Sequence, residues 1–181
     1  MIRQYLEDMQ SLLNNVDTIP IERLIWLIKL AIQDKWTVYT FGNGGSSSTA
    51  SHFAGDLAKS YGCKTMCLND SMVAFSAWAN DVDYPSVFSK QLEPIVKMND
   101  LVIGISGSGN SLNVIKGIEM AKSKHAITVG ITAFNGGKLR DLVDVAIVIP
   151  VFNMEQAEDV HLMIWHIIKT CLSKDVVNAT V

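Results

Sequence analysis

Two segments of this chain share one pattern: a short apolar run, then a loop rich in glycine and serine, then a helix-like stretch. Residues 37–41 lead into the loop GNGGSSST, and residues 101–105 lead into the loop SGSGNS. Glycine permits tight turns and close approach of a ligand to the backbone. Serine hydroxyls and the free N–H groups at a helix start both donate to anions. The pattern predicts two strands that end in anion-binding loops.

The alternation of apolar runs and helical segments predicts an α/β fold. Helices are expected to begin near Ser47, Ser71, Ser111, Gly137 and Met154, and the predicted strands are 37–41, 64–68, 101–105, 126–132 and 145–149. Strands this rich in Val, Ile and Thr are typical of a parallel sheet covered on both faces. Ligands of such sheets bind beyond the carboxyl ends of the strands, so we expect the two loops to converge on one pocket.

The composition and charge of the chain exclude several classes of protein. Of the 181 residues, 49% are hydrophobic and 18% charged, which indicates a folded domain. The net charge of −3 and the lack of a Lys/Arg cluster argue against nucleic-acid binding. The apolar stretch 21–32 is short and carries charges, so no membrane span is expected. An odd number of cysteines without metal or redox spacing, and a charged N-terminus, indicate a cytoplasmic protein with reduced thiols.

The chain is expected to form one domain over residues 1–181. Its first part, residues 1–35, reads as two helices separated near Pro20, and residues 36–181 form the core. Both N-terminal helices carry wide apolar faces, which we expect to pack in an oligomer.

The second loop is the stronger anion site. Four of its six residues are small and polar, namely Ser106, Ser108, Asn110 and Ser111, and this density predicts phosphate binding. Ser111 is also expected to cap the next helix. The first loop approaches the dinucleotide fingerprint G-x-G-x-x-G, but Ser47 replaces the last glycine, so a dinucleotide site is the less favoured alternative.

Ionisable residues suited to chemistry lie on two predicted helices. His52 and Asp56 are four residues apart and share a face, while the last helix carries Glu158 and His166. His166 is flanked by apolar residues, so we expect it to be substantially buried, and we expect His125 in an exposed loop. Three roles stay open for such groups: structural hydrogen bonding in the core, proton transfer, or binding of a zinc-like ion.

Several blocks in order make the chain resemble the sugar isomerase (SIS) domain family, and within it the phosphoheptose isomerases. These blocks are GNGGS at 42–46, HFA at 52–54, AND at 79–81, VFSKQL at 87–92, ISGSGNS at 105–111, GGK at 136–138, EDVH at 158–161, and His166. The resemblance implies a three-layer αβα sandwich with a five-stranded, flavodoxin-like sheet, assembled as a homotetramer. It also implies aldose–ketose isomerisation of sedoheptulose 7-phosphate to D-glycero-D-manno-heptose 7-phosphate, without a redox cofactor.

The resemblance also implies roles for individual residues. The proton-transfer pair is Asp56 and His166, either of which would move one proton between C1 and C2. Zinc, where the family holds it, corresponds to His52, Asp56, Glu158 and His166. The substrate-binding positions are Asn43, Gly44, Ser46, Asn80, Asp81, Ser106, Gly107, Ser108, Ser111 and Glu158.

The chain departs from the family pattern near these positions. Asp56 stands where Glu is usual, Glu158 where Gln is usual, Ser60 where Arg is frequent, and Gly107 where Ser or Thr is common. These departures keep an alternative open, a non-catalytic module that binds a phosphosugar or another protein.

Overall fold

The computed structural model describes residues 1–178, and the side-chain surroundings of residues 1–173. The predicted domain therefore extends three residues beyond the described part. The helices are α1 (Ile2–Leu13), α2 (Ile19–Asp34), α3 (Gly45–Tyr61), α4 (Met72–Asp81), α5 (Val87–Leu92), α6 (Leu112–Ser123), α7 (Gly137–Leu142) and α8 (Met154–Asn178). The strands are β1 (Thr37–Gly42), β2 (Lys64–Cys67), β3 (Leu101–Ser106), β4 (Ile127–Ala133) and β5 (Val145–Ile149).

The five strands form one parallel sheet in the order β2-β1-β3-β4-β5. This is the flavodoxin-like order, and it confirms the predicted fold class. The strands lie where the sequence predicted them, each end within one residue. β3 is central and all of its residues are buried, as expected for a strand covered on both faces.

Successive strand residues point to opposite faces, so the sheet divides the core into two clusters. Val38 belongs to the cluster with α2, α3 and α8, whereas Tyr39 and Phe41 belong to the cluster with α5 and α6. Trp165 on α8 is almost fully buried in the first cluster. These contacts fix α3 and α8 side by side on one face of the sheet.

The segment after α4 forms a 3-10 turn (Tyr84–Ser86) and the helix α5, neither of which was predicted from the sequence. Val87, Phe88 and Leu92 are fully buried there. A helix of six residues is too short to show a clear helical period, and its packing on α6 holds it in place.

The two N-terminal helices differ in how far they are buried against the rest of the domain. Leu24 and Ile28 of α2 are fully buried among residues of the sheet and α8, while Leu12 is the buried residue of α1. Ile2 and Leu6 remain largely exposed. Among the described helices, none is long and apolar enough to cross a membrane.

Candidate functional site

The loops after β1 and β3 lie next to each other because the strands that lead into them are paired. Gly42 is in register with Ile105 at the ends of these strands. The loop after β1 is then tied to α6, since the amides of Asn43 and Asn113 exchange two hydrogen bonds of 2.9 and 2.8 Å. The Tyr84 hydroxyl also donates to Asn43 Oδ1 at 3.0 Å. The two predicted loops are thus neighbours at the carboxyl edge of the sheet.

The loop after β3 carries a group of polar donors beside the start of α6. Ser106 Oγ donates to Ser111 Oγ at 3.0 Å, and the Asn110 amide N–H donates to Ser108 Oγ at 3.2 Å. Ser111 is the N-cap residue of α6, but its side chain makes no capping hydrogen bond, so the predicted capping role is wrong in that respect. Its hydroxyl is available to the loop instead. Hydroxyls beside a helix start suit a phosphate group.

The loop after β4, which was not among the predicted site segments, packs against the loop after β3. After β4 the chain turns through Gly136 and Gly137, both in the left-handed region, and the Gly136 carbonyl fills the space that a side chain at Gly109 would need. The Lys138 N–H donates to Asn110 Oδ1 at 3.1 Å. The glycine pair directly after a strand was the sequence signal for this contact.

Met154, the first residue of α8, packs against the loop after β3. Its thioether sulfur occupies the space in which a Cβ at Gly107 would lie. Gly107 therefore leaves room for Met154, and a serine or threonine there would require this methionine to move.

Glu158 lies over the start of α3. Its carboxylate sits in the space that a Cβ at Gly45 would fill, next to the N-cap residue Gly44 and the buried Ser46. A negative charge is stabilised at a helix N-terminus by the unpaired N–H groups there. In dinucleotide-binding proteins the pyrophosphate binds at such a helix N-terminus, whereas here the Glu158 carboxylate occupies that position.

A second polar cluster lies further along α3 and α8, and we call it the Asp56 corner. His52 Nε2 lies 3.3 Å from Asp56 Oδ2, and Trp165 Nε1 donates to the same oxygen at 3.2 Å. Lys169 Nζ lies 2.7 Å from Asp56 Oδ1. The ring of His166 packs edge-on against that of His52, with ring centroids 5.2 Å apart. The corner therefore joins two imidazoles, one carboxylate and one ammonium.

The surroundings of Asp56 keep its carboxyl group ionised. Partial burial favours the neutral acid, but hydrogen bonds from Lys169 and Trp165 and the positive charge of Lys169 outweigh this effect. The pKa of Asp56 is therefore held below its usual value.

The expectation that His166 is substantially buried is wrong, because this residue is exposed. The buried histidine of α8 is His161, whose Nε2 lies 3.1 Å from the Thr132 carbonyl oxygen. Five residues of α-helix turn the side chain by about 140°, so the two histidines face opposite sides of α8. The apolar residues next to His166 in the sequence did not indicate which side of α8 faces the sheet. His125 is exposed, as predicted.

Comparison with known proteins identifies the family. The SIS domain family matches residues 4–133. The chain belongs to this family. It is 34% identical over 159 residues to phosphoheptose isomerase of Helicobacter pylori, which covers 85% of this chain and 83% of that protein. It is 31% identical over 175 residues to phosphoheptose isomerase of Aliarcobacter butzleri, covering 93% of both proteins.

A solved structure has the same fold as this SIS domain. Phosphoheptose isomerase of Neisseria gonorrhoeae superposes with a TM-score of 0.91 over 96% of this chain and 97% of that one, at 24% sequence identity. The similarity in structure therefore extends beyond the family match and includes α8.

Four residues of this SIS domain were predicted to hold zinc, and their arrangement does not fit one ion. Glu158 and His166 are eight residues apart on α8, about 12 Å along the axis. The Glu158 carboxylate lies against Gly45, and both oxygens of Asp56 already have partners. Within residues 1–173, no three His, Cys, Asp or Glu side chains converge as a metal site would require.

The two halves of the predicted pocket lie apart within one chain. Met154 covers the loop after β3, and His166 follows twelve residues later, about 18 Å along α8. The Asn80 side-chain amide donates to Asp81 Oδ1 at the end of α4, and within the described side chains neither residue has a hydrogen bond to either loop. The structure thus brings Ser106, Ser108 and Ser111 together, and separately His52, Asp56 and His166.

Sequence reasoning did not include Lys169, Trp165, Asn113 or Tyr84 among the site residues. Lys169 and Trp165 reach Asp56 across more than a hundred residues of sequence, so their contact depends on how α3 packs on α8. Position on the last helix near His166 was the single available signal for these two residues.

Proposed function

We propose that this protein is an aldose–ketose isomerase that converts sedoheptulose 7-phosphate to D-glycero-D-manno-heptose 7-phosphate. The observation that carries the proposal is the similarity to phosphoheptose isomerase of Helicobacter pylori, at 34% identity over 85% of this chain. The polar loop beside α6 supports it, because it offers hydroxyls and a helix start to a phosphate group.

In this proposal the loop after β3 binds the phosphate group of the substrate. Ser106, Ser108 and Ser111 donate from their hydroxyls, and Gly107 allows the backbone to approach closely. The sugar hydroxyls are bound by the remaining predicted residues, which are Asn43, Gly44, Ser46, Asn80, Asp81 and Glu158. A ligand held at both ends places C1 and C2 in a fixed position, which is a requirement for moving one proton between them.

We assign the proton transfer to His166 and a positioning role to Asp56. Both oxygens of Asp56 have partners and its pKa is lowered, which makes it a weak base. His166 is exposed and packs against His52 through ring contact, so its ring can reach a substrate. General acid–base catalysis of this kind contributes about 10²–10⁴-fold. The remainder comes from positioning and from stabilising the charge of the enediolate.

The active site in this proposal is shared between subunits of a homotetramer. Met154, which contacts the loop after β3, and His166 are about 18 Å apart along α8 of one chain, further than a seven-carbon sugar extends. His166 is exposed and can meet the loop after β3 of another subunit, which we call the phosphate loop. The exposed apolar residues of the N-terminal helices, Ile2, Leu6 and Leu13, favour such an assembly. We place this single-domain enzyme in the cytoplasm.

The test is a panel of ketose and aldose phosphates, followed for interconversion with and without a chelator. The proposal expects turnover of sedoheptulose 7-phosphate above that of shorter sugars. Binding of phosphosugars without any turnover would overturn it in favour of a non-catalytic module. The chelator is expected to leave turnover unchanged, because the four predicted zinc residues do not converge.

A further inference from the structure

The Asp56 corner contains its own cation. Lys169 Nζ lies 2.7 Å from Asp56 Oδ1, and the side chains of Asp56 and Lys169 are 14% and 35% exposed. Fully exposed ion pairs contribute little to protein stability, but two charges that are partly shielded from water attract each other more strongly. We therefore treat the Asp56–Lys169 ion pair as a structural part of the Asp56 corner.

The two oxygens of Asp56 have different partners, which fixes the carboxylate plane. Oδ1 faces Lys169, while Oδ2 faces His52 Nε2 and Trp165 Nε1. Trp165 is almost fully buried, so the indole cannot turn away. The backbone of α8 is also held at this point, since the Tyr61 hydroxyl donates to the Lys169 carbonyl at 2.8 Å. Both the indole of Trp165 and the backbone of Lys169 are thus anchored beside Asp56.

A divalent ion at this corner would compete with Lys169 for the same oxygen. It would need a lone pair of Asp56 and would stand close to an ammonium group, so both charge repulsion and loss of the existing ion pair oppose binding. Glu158, the other predicted acidic ligand, lies over the start of α3. The residues present therefore supply a positive charge where the predicted metal would supply one.

We propose that Lys169 takes the place of a metal ion at the Asp56 corner and positions Asp56 against His52. This inference rests on the proposed isomerase function for its catalytic consequence, but not for its effect on metal binding. Lys169 is a positioning residue, because it acts on the site through Asp56.

The experiment compares the wild-type protein with K169M, which keeps the unbranched apolar part of the side chain without its charge, and with K169R, which keeps the charge. K59M, at an exposed lysine of α3, is the matched control. All proteins are treated with a chelator and then titrated with Zn²⁺ by calorimetry and with Co²⁺ by visible absorption. Steady-state kinetics on sedoheptulose 7-phosphate follow, with and without chelator.

We expect the wild-type protein, K59M and K169R to bind Zn²⁺ weakly, and K59M to turn over in chelator at the wild-type rate. K169M is expected to bind Zn²⁺ about 10–100-fold more tightly than the wild-type protein, because the ammonium beside Asp56 is gone, with Co²⁺ bands typical of imidazole ligands. Its kcat in chelator should fall by about 10–100-fold while KM changes little, and K169R should retain most of the wild-type kcat.

Stoichiometric Zn²⁺ in the wild-type protein with loss of turnover on chelation would overturn the inference. Unchanged metal affinity in K169M would overturn it as well. If K169M unfolds, K169Q is used for the same titrations. If no protein turns over any phosphosugar, the proposed function fails, while the metal titrations still decide whether Lys169 excludes the ion.

Discussion

The surroundings of each candidate site residue depend on which side of its helix the side chain occupies. His161 and His166 lie on one helix, yet the first is buried against β4 and the second is exposed beside His52. The sequence could show that both residues are on α8, but not which of them faces the sheet. The contact of Lys169 with Asp56 was likewise invisible, because it depends on helix packing.

Replacing His166 with alanine is expected to lower kcat by about 10²–10⁴-fold, since the group that moves the proton is lost. The phosphate loop is unchanged, so calorimetry should still detect binding of the phosphosugar. H125N, at an exposed histidine distant from the Asp56 corner, is the control and should turn over normally. Retained turnover in H166A would remove His166 from the mechanism.

His161 makes the stability of the protein sensitive to acid. Burial lowers its pKa in the folded state below the ordinary value near 6.5, despite the hydrogen bond to the Thr132 carbonyl. Below about pH 6.5, His161 is protonated in the unfolded chain but stays neutral in the folded chain. The free energy of unfolding therefore decreases as the pH falls through that value. One such group contributes at most about 1.4 kcal/mol per pH unit.

The variant H161Q keeps a donor for the Thr132 carbonyl but does not titrate. Denaturant unfolding from about pH 7.5 to about pH 5 should therefore show a shallower fall in the free energy of unfolding than in the wild-type protein. H125N should leave the slope unchanged. An identical slope in H161Q and wild type would contradict this role of burial.

Helices and strands were more predictable than side-chain contacts. The strands were found within one residue, because buried parallel strands are continuous apolar runs bounded by glycine and serine. The 3-10 turn and α5 were missed since they are too short for a helical period. The proximity of the loops after β1 and β3 followed from strand pairing, while the contribution of the loop after β4 required its backbone contacts with Gly109 and Asn110.

The phosphate loop gives a prediction for substrate binding. In the proposed function, S108A and S111A each remove one hydroxyl that would donate to the phosphate dianion, a contact worth about 1.5 kcal/mol or more. Each variant should therefore raise KM for sedoheptulose 7-phosphate about tenfold and change kcat less than threefold, about 0.6 kcal/mol. S123A, at the exposed end of α6, is the control. Unchanged KM in both variants would move the phosphate site elsewhere.

The assembled protein is expected to need more than one subunit for each active site, because His166 and the phosphate loop lie far apart within a chain. At a substrate concentration well below KM, where the raised KM of the double variant S108A/S111A makes it nearly inactive, mixing it with H166A by unfolding and joint refolding should restore about a quarter of the wild-type activity. Each restored site takes its loop from one chain and its imidazole from another. Activity no greater than that of the separate variants would place each site within a single chain.

The proposed function requires this protein to move a proton between C1 and C2 of a heptose phosphate. The most direct measurement is NMR of sedoheptulose 7-phosphate incubated with the wild-type protein in D₂O. We predict the appearance of D-glycero-D-manno-heptose 7-phosphate, with deuterium at C2, and its absence with H166A. A substrate spectrum that stays unchanged at catalytic and at stoichiometric protein concentration would contradict the claim.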